Sequence, residues 1–390
     1  MIMHFSSFVF NCPTKVLFGE HESASLTTFA DELGIKKPLL ITDRFLMEHG
    51  VIAPIIESLE DSGFDYETFL DVPPDSDIDA VNKAAEFGRE KGCNSIIAVG
   101  GGSVLDTAKV VNVCLTLGSD LMANQGLNII ESKLSPFVAV PTTAGTGSEV
   151  SFVAAIKDSK QERKLVFGSR FLAPDLAILD PTLLASLPRG LTAATGMDAV
   201  THAIESAACA VTKSPLTESI SLESLKILFK FLPKAVQDGN DMEARSATLI
   251  ASTMAGMAFT NSGVGIIHAL AHATGAIFKT HHGLTNAVFL SHGMRFNKPE
   301  SKSIYAKVAR ALEFTDSRND DTACDILIDK FEELMNELDI PKDLKSIGVE
   351  KMDSELSEKW SNLVLEDPSI MFNPRYATTE DVLDIFERAY

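Results

Sequence analysis

The sequence predicts a two-domain protein, with an α/β domain over residues 1–187 and an all-helical domain over residues 188–390. Three observations lead to this prediction. A chain of 390 residues is longer than one ordinary domain. Short apolar runs alternate with helix-like segments in the first half, as in a parallel sheet covered on both faces. After about Pro188 only helical patterns follow.

Uninterrupted apolar runs mark the strands of the α/β half. The predicted strands are Pro38–Thr42, Ser95–Val99, Phe137–Val140 and Leu176–Leu179. Helical patterns lie between them at Ile78–Lys91 and Leu105–Leu117. Runs of this length without a polar break are typical of strands buried on both faces.

Apolar residues in the second half repeat at the spacing of an α-helix. Two sets follow the i, i+3 and i+4 pattern: Leu225, Leu228, Phe229 and Leu232, and then Leu327, Phe331, Leu334 and Leu338. Such stripes indicate amphipathic helices that bury one face.

Composition excludes several classes of function. The 34 basic and 54 acidic side chains give a net charge of −20, which argues against a nucleic-acid surface. Five scattered cysteines without a CxxC pair argue against a disulfide framework and favour a reducing cytoplasm. Residues 1–13 lack a basic segment and a cleavage site, so we expect no signal peptide.

One uncharged stretch raises the alternative of a membrane span. No Asp, Glu, Lys or Arg occurs from Ser246 to Phe278, which is long enough to cross a bilayer. The stretch also carries His268, His272 and Asn261 among many small polar residues. We therefore expect buried helices and no membrane partner.

A glycine-rich loop follows the strand Ser95–Val99. It consists of Gly100, Gly101, Gly102 and Ser103. Glycines let a ligand approach the backbone, and a helix that starts here would offer free N–H groups to a phosphate. Ser103 is the predicted N-cap, with Asp106 completing a capping box. A tight turn without a ligand is the alternative, because the loop is neither a P-loop nor GxGxxG.

Two further features lie at predicted strand ends. The segment PTTAGTGSE (Pro141–Glu149) follows the strand Phe137–Val140, and Asp43 follows Pro38–Thr42. Loops after neighbouring parallel strands meet at one edge of a sheet, so together they favour a dinucleotide. Asp43 could accept the ribose hydroxyls and repel a 2′-phosphate, which favours NAD over NADP. An exposed turn aspartate is equally compatible with the sequence.

Histidines occur in a pattern that suits a metal ion. Asp198 and His202 are four residues apart on a helix that Thr192 is predicted to cap, and His268 and His272 form a second such pair. His282 follows. Residues at i and i+4 share a helix face, so each pair can reach one ion. One carboxylate with imidazoles suits Fe²⁺ or Zn²⁺. The spacing leaves open which histidine is not a ligand, and whether these are core histidines with satisfied hydrogen bonds.

Four ordered motifs carry a resemblance to a known family. They are GGGSVLDTAK (Gly100–Lys109), PTTAGTGSE (Pro141–Glu149), GMDAVTHAIE (Gly196–Glu205) and GIIHALAHATGAIFKTHHG (Gly265–Gly283). In these motifs the chain resembles the iron-containing, group III alcohol dehydrogenases, and the likeness extends from Lys15–Gly19 to Asn373–Arg375. The resemblance implies a dehydroquinate synthase-like fold with the site in a cleft between a nucleotide-binding domain and a helical domain.

The resemblance also implies residue roles. The metal ligands would be Asp198, His202, His268 and His282. His272 would be a catalytic non-ligand that relays a proton or orients the substrate. The diphosphate would lie on Gly100, Gly101, Gly102 and Ser103. The rest of the cofactor would contact Asp43, Thr142, Thr143, Thr146 and Lys164.

The implied activity is hydride transfer between a small primary alcohol or aldehyde and NAD, at Fe²⁺ or Zn²⁺, in a homodimer or higher homo-oligomer. The segment Ser151–Ala155 is more apolar than the corresponding segment of relatives that act on hydroxyaldehydes. This difference favours the alcohol branch over a polyol dehydrogenase of the glycerol type. A lyase resembling dehydroquinate synthase would need a basic, phosphate-binding pocket, which the uncharged stretch Ser246–Phe278 does not supply.

Overall fold

The computed structural model describes residues 7–118, 121–161 and 163–390. These residues form two compact units. The first is Asn11–Leu187, and the second joins Pro188–Tyr390 to residues 7–10. Residues 1–6, which fall in the segment where the sequence predicts no signal peptide, lie outside the described residues.

The first unit contains the strands and five short to medium helices of the described chain. The strands are β1 (Lys15–Phe18), β2 (Pro38–Ile41), β3 (Glu67–Phe69), β4 (Ser95–Gly100), β5 (Gly126–Leu127), β6 (Phe137–Pro141), β7 (Val153–Asp158), β8 (Arg163–Gly168) and β9 (Leu176–Leu179). The helices are α1 (Ala30–Leu33), α2 (Arg44–Glu48), α3 (Ala53–Asp61), α4 (Ile78–Glu90) and α5 (Gly102–Leu117).

Six of these strands form a parallel sheet in the order β1-β9-β6-β4-β2-β3. Every residue of β2, β4, β6 and β9 is buried. The four predicted strands and their burial are therefore confirmed, to within one residue at their ends. β5, β8 and β7 form a second, three-stranded sheet that the apolar pattern did not predict.

The carboxyl ends of β2, β4 and β6 bring three loops to one edge of the large sheet. β4 lies between β2 and β6, and Gly100 pairs in register with Pro141. The glycine loop after β4 and the threonine loop after β6 are therefore neighbours, and Asp43 follows the strand on the other side of β4. This is the edge at which open α/β sheets bind ligands.

The second unit is helical throughout its described length apart from turns. Its α-helices are α6 (Arg189–Ala208), α7 (Pro215–Gln237), α8 (Met242–Ser262), α9 (Ile266–Phe278), α10 (His282–Ala311), α11 (Asp320–Glu337), α12 (Ser354–Glu366) and α13 (Thr379–Ala389). Most of α6 is buried, with α7, α8 and α10 packed around it. The two amphipathic stripes identified in the sequence lie on α7 and at the end of α11.

The uncharged stretch of residues 246–278 forms most of α8 and α9, and both helices carry many buried side chains. Within the described ranges, no single helix is long and apolar enough to cross a bilayer. α8 and α9 meet that criterion only as a pair, and the chain bends by 101° at the break between them.

Two predicted helix starts are wrong. α5 begins at Gly102 with Gly101 as its N-cap, so Ser103 is not the cap. The Ser103 hydroxyl instead accepts a hydrogen bond from the backbone N–H of Asp75 (3.1 Å). α6 begins at Arg189, three residues before Thr192, whose hydroxyl lies inside the first turn and accepts from Arg245 Nη1 (2.8 Å). In both cases the polar side chain bonds to a partner distant in the sequence.

Candidate metal centre and cofactor loops

Three side chains of the helical unit bring metal-type donor atoms together. Asp198 lies on α6, His268 on α9, and His282 is the first residue of α10. Asp198 Oδ1 is 3.8 Å from His268 Nε2 and 3.5 Å from His282 Nε2. Each residue offers a donor atom within 4.8 Å of the other two. Asp198 and His268 are buried, and His282 is partly exposed.

The amide of Asn286 faces all three donor atoms. Its Nδ2 lies 2.7 Å from Asp198 Oδ1, 3.2 Å from His268 Nε2 and 3.2 Å from His282 Nε2. An amide nitrogen carries two hydrogens, so it cannot donate to three acceptors at once. A carboxylate oxygen and two imidazole nitrogens in this arrangement fit a divalent cation such as Fe²⁺ or Zn²⁺.

His202 lies beside this group on α6. Its ring stacks on the His268 ring, with centroids 4.5 Å apart, and on the Phe259 ring at 4.3 Å. It is buried, but its nitrogens are not part of the set of close donor atoms. The structure thus brings together three of the four expected ligands and places the fourth in contact with them.

Two carboxylates that the sequence analysis did not single out bind the outer nitrogens of the histidines. His268 Nδ1 lies 2.5 Å from Glu205 Oε2, and His272 Nδ1 lies 2.8 Å from Asp367 Oδ2, both within hydrogen-bond distance. Glu205 lies seven residues after Asp198 on α6, so a helical-face analysis could have found it. Asp367 lies 95 residues after His272, and no local pattern relates the two.

These contacts shift pKa values. Burial alone would lower the pKa of His268, but the hydrogen bond and charge of Glu205, together with Asp198, raise it above its usual value. Burial would raise the pKa of Asp367, but His272 and Ser369 outweigh that effect and lower it to about 2. The Asp367 carboxylate is therefore ionised at neutral pH and accepts a hydrogen bond from His272 Nδ1.

His272 is close to the donor group without belonging to it. Its ring stacks on the His282 ring, with centroids 5.2 Å apart and planes inclined by 12°. Its centroid is 6.0 Å from that of His268. The side chain is only partly buried, so its Nε2 can face a bound molecule.

A glycine allows the helix that begins at His282 to approach α6. A Cβ atom on Gly283 would lie 2.3 Å from the backbone oxygen of Ala194 and 3.4 Å from Asp198 Cβ. Contacts this short with a backbone atom cannot be relieved by a side-chain rotation. Gly283 thus permits the close packing that places His282 near Asp198.

In the α/β unit, the two glycine-containing loops touch. A Cβ atom on Gly102 would lie 2.5 Å from Thr146 Cγ2, and one on Gly101 would lie 3.3 Å from Thr143 Cγ2. Each threonine side chain therefore packs against the backbone of a glycine, at a point where a larger residue would collide with it or crowd it. The N-terminus of helix α5 lies at this point, with a glycine as N-cap and no side-chain cap, so the first N–H groups of the helix can face a ligand.

The remaining expected cofactor residues lie near these loops or at the same sheet edge. Asp43 is the N-cap of α2, and its Oδ1 accepts from Leu46 N (2.9 Å). Thr142 is buried, with its N–H bonded to Gly100 O (3.1 Å). Lys164 on β8 forms an ion pair with Asp75 (3.2 Å), the residue whose N–H donates to Ser103.

Lys109 and Asp106 of α5 hold the second loop in place. Lys109 Nζ is fully buried and donates to Ser148 Oγ, Ser151 Oγ and Val153 O, each at 2.8 Å. Asp106 accepts from Ser148 Oγ (2.6 Å). The predicted capping partner Asp106 therefore stabilises the neighbouring loop instead of the helix end.

These features define a class of protein, a nucleotide-dependent metalloenzyme with an α/β unit and a helical unit. The features are a sheet edge with two glycine loops and a buried group of carboxylate and imidazole donors. Comparison with known proteins identifies the family within this class. A model described as "Iron-containing alcohol dehydrogenase" matches residues 13–181, and one described as "Fe-containing alcohol dehydrogenase family, C-terminal" matches residues 192–390.

Individual relatives agree with these matches. The chain is 34% identical to a NAD-dependent methanol dehydrogenase of Bacillus methanolicus, over 97% of this chain and 99% of the relative. It is 32% identical to a 1,3-propanediol dehydrogenase of Citrobacter freundii, over the full length of both. The solved structure of an alcohol dehydrogenase from Oenococcus oeni superimposes with a TM-score of 0.94 at 34% identity, covering 98% of this chain and 100% of the other.

The chain belongs to the iron-containing alcohol dehydrogenase family. It is an oxidoreductase that uses NAD and a divalent metal, and its fold is the dehydroquinate synthase-like fold of that family. These findings confirm the predicted fold class, activity and cofactors. Both matching family models describe alcohol dehydrogenases, which argues against the lyase alternative.

Proposed function

We propose that the protein interconverts a small primary alcohol and its aldehyde, at a metal site formed by Asp198, His202, His268 and His282. The observation that carries this proposal is the convergence of Asp198 Oδ1, His268 Nε2 and His282 Nε2 around one point in the helical unit. When bound, the cation supplies Lewis acidity to the substrate oxygen and NAD carries the hydride.

His272 is the proposed catalytic residue. Asp367 accepts a hydrogen bond from its Nδ1–H, which leaves Nε2 available on the other side of the ring. From there His272 can accept the proton of a substrate hydroxyl, or hold that hydroxyl in position. The ionised Asp367 stabilises the imidazolium that proton transfer would produce.

The cofactor would lie along the loops of the α/β unit. The free N–H groups at the start of α5, with Gly100, Gly101, Gly102 and Ser103, suit the diphosphate. Thr142, Thr143, Thr146 and Lys164 are proposed to contact the remainder of NAD.

A panel of alcohols tests the substrate class. The anaerobically purified protein, loaded with Fe²⁺ or Zn²⁺ in parallel samples, is assayed for NADH absorbance with methanol, ethanol, 1-butanol, 1,3-propanediol and glycerol. We expect turnover with the primary alcohols and little with glycerol. Preferential oxidation of glycerol would favour the polyol alternative, and no NADH with any alcohol would contradict the proposal.

Asp43 is proposed to bind the ribose hydroxyls and to select NAD. Asp43→Gly should weaken NAD binding and reduce the preference for NAD over NADP, measured as the ratio of the two kcat/KM values. Asp353→Gly is a matched control, because Asp353 caps α12 through the same bond to the third N–H. An unchanged ratio in Asp43→Gly would contradict the ribose role.

We also propose a homo-oligomer, a dimer or larger, and a cytoplasmic location. The described cysteines form no disulfide, and three of them are buried, which suits a reducing compartment. Sedimentation analysis tests the oligomer, and a single monomeric species at micromolar concentration would contradict it.

A further inference from the structure

Glu205 contacts both a proposed metal ligand and the backbone that carries it. It is 5% exposed and lies on α6, two helical turns after Asp198. Its Oε2 lies 2.5 Å from His268 Nδ1, within hydrogen-bond distance, and its Oε1 accepts from the backbone N–H of Ile267 (2.8 Å). One carboxylate thus binds the ring and the main chain of neighbouring residues.

The second contact places Glu205 at the start of α9, where the N-cap is Gly265. The first two N–H groups of this helix have no partner within the helix and donate to side chains from other segments. Ile266 N donates to Asn373 Oδ1 (3.0 Å), and Ile267 N donates to Glu205 Oε1. A Cβ atom on Gly265 would lie 2.6 Å from Asn373 Oδ1 and 3.1 Å from Glu205 Oε1. The glycine therefore admits both oxygens, and the carboxylate lies at the positive end of the helix.

The two contacts of Glu205 determine which nitrogen of the His268 ring carries the hydrogen. An ionised carboxylate only accepts hydrogen bonds, so His268 Nδ1 must carry a hydrogen. In the neutral ring Nε2 then has a lone pair, and the Asn286 amide that faces it at 3.2 Å is a donor. His268 Nε2 is also the nitrogen that faces Asp198 and His282.

We infer that Glu205 is a positioning residue that fixes His268 in the tautomer protonated at Nδ1, so that Nε2 is presented as a metal ligand. This inference rests on the proposed metal site. Carboxylates behind ligating histidines set the ring tautomer and orientation, and their loss typically reduces metal affinity 10–100-fold.

Glu205→Gln tests the tautomer with almost no change of shape. The amide oxygen can still accept from Ile267 N, which leaves the NH₂ group facing His268 Nδ1. That nitrogen must then become an acceptor, which moves the ring hydrogen to Nε2 and blocks ligation. We expect the Kd for Zn²⁺, measured on the metal-free full-length protein by chelator competition, to rise roughly 10–100-fold.

Asn373→Ala is the matched control. It removes the other side-chain acceptor at the start of α9 but does not touch a histidine. Its thermal stability should fall, while its Kd for Zn²⁺ changes much less than that of Glu205→Gln. Equal weakening of Zn²⁺ binding in the two variants would show that Glu205 acts only by capping α9, and would overturn the inference.

The remaining outcomes separate the inference from the proposed function. If Glu205→Gln is folded by circular dichroism and binds Zn²⁺ like the wild type, the inference is wrong and the metal site stands. If the wild type binds no Zn²⁺, the proposed metal site itself fails. If the variant does not fold, ¹⁵N spectra of histidine-labelled, Zn²⁺-loaded wild type decide: a protonated Nδ1 on His268 supports the inference, and Zn²⁺ on Nδ1 overturns it.

Discussion

At the scale of single residues, the histidines of the helical unit are held by charged partners that lie behind them. Glu205 binds His268 and Asp367 binds His272, and both carboxylates are almost inaccessible to solvent. A buried carboxylate is costly unless it is hydrogen-bonded or paired, so each is tied to the imidazole it contacts. The two histidines, one turn apart on α9, are thereby given separate orientations.

The proposed role of His272 predicts a loss of turnover without a loss of metal. His272→Ala should lower kcat about 10²-fold or more, because a positioned acid–base group contributes that much. Its metal content should match that of the wild type. His281→Ala, which changes an exposed neighbouring histidine, should leave kcat nearly unchanged. A His272→Ala variant with full activity would remove the residue from the mechanism.

Lys109 predicts a pH dependence of stability. Burial lowers its pKa to about 8, against the raising effect of Asp106, from an ordinary value of 10.5. Between these pH values the unfolded chain binds more protons than the folded chain, so the cost of burying the charge is relieved as pH rises. The free energy of unfolding of the wild type, relative to Lys109→Met, should therefore increase by up to about 3 kcal/mol from pH 7 to 10.5.

Urea unfolding at a series of pH values measures this difference. Lys298→Met is the control, because Asp325 raises the pKa of that lysine. The free energy of unfolding of the wild type, relative to Lys298→Met, should therefore not increase between pH 7 and 10.5. A difference between wild type and Lys109→Met that stays constant with pH would contradict the account of Lys109.

At the scale of secondary-structure elements, the separation between α6 and α10 decides whether Asp198 and His282 can share an ion. Gly283→Ala would place a Cβ atom 2.3 Å from the Ala194 backbone oxygen and force the two helices apart. We expect the Kd for Zn²⁺ to rise roughly tenfold or more, as for other disturbed ligand orientations. Chelator competition measures it.

Gly275→Ala provides the comparison. Gly275 lies on α9, the helix that carries His268. A Cβ atom there would come no closer than 3.6 Å to Thr280, which is an ordinary van der Waals contact. Zn²⁺ binding should be close to that of the wild type. If Gly283→Ala also binds Zn²⁺ normally, close helix packing does not control the site.

Local pattern predicted the elements well where burial is uniform. The strands β2, β4, β6 and β9 are apolar at every or nearly every position, and their ends follow from the glycines and prolines beside them. Strands β7 and β8 were missed because they contain Lys157, Lys164 and other polar residues at partly exposed positions. The caps at Ser103 and Thr192 were wrong because a hydroxyl near a helix start can equally bond to a distant partner.

Long-range partners could not be predicted in the same way. The i, i+4 spacing brought Asp198 and His268 to attention, since it depends only on helix geometry. Asn286 is four residues after His282 on α10, so the same spacing relates those two residues, but its contacts with Asp198 and His268 depend on how α6, α9 and α10 pack. Asp367 carries no such signal, because its contact with His272 depends on how α9 packs against the segment after α12. Sequence pattern identifies which side chains can act, and tertiary packing decides their neighbours.

At the scale of the whole molecule, the two sets of functional residues belong to different compact units. The cofactor loops lie in Asn11–Leu187 and the proposed metal ligands in Pro188–Tyr390. None of the residues proposed to contact NAD is a proposed metal ligand, so we expect the metal-free protein still to bind NAD, with a Kd raised by no more than about tenfold. Cofactor fluorescence measures the Kd, and loss of NAD binding on chelation would contradict this separation of the binding residues.

The central claim is that Asp198, His202, His268 and His282 bind one catalytic cation. Metal analysis of the anaerobically purified wild type and of His268→Ala, both checked for folding, tests this most directly. The account predicts an Fe²⁺ or Zn²⁺ ion in each wild-type chain and almost none in the variant. A folded His268→Ala protein that retains the metal at the wild-type ratio would contradict it.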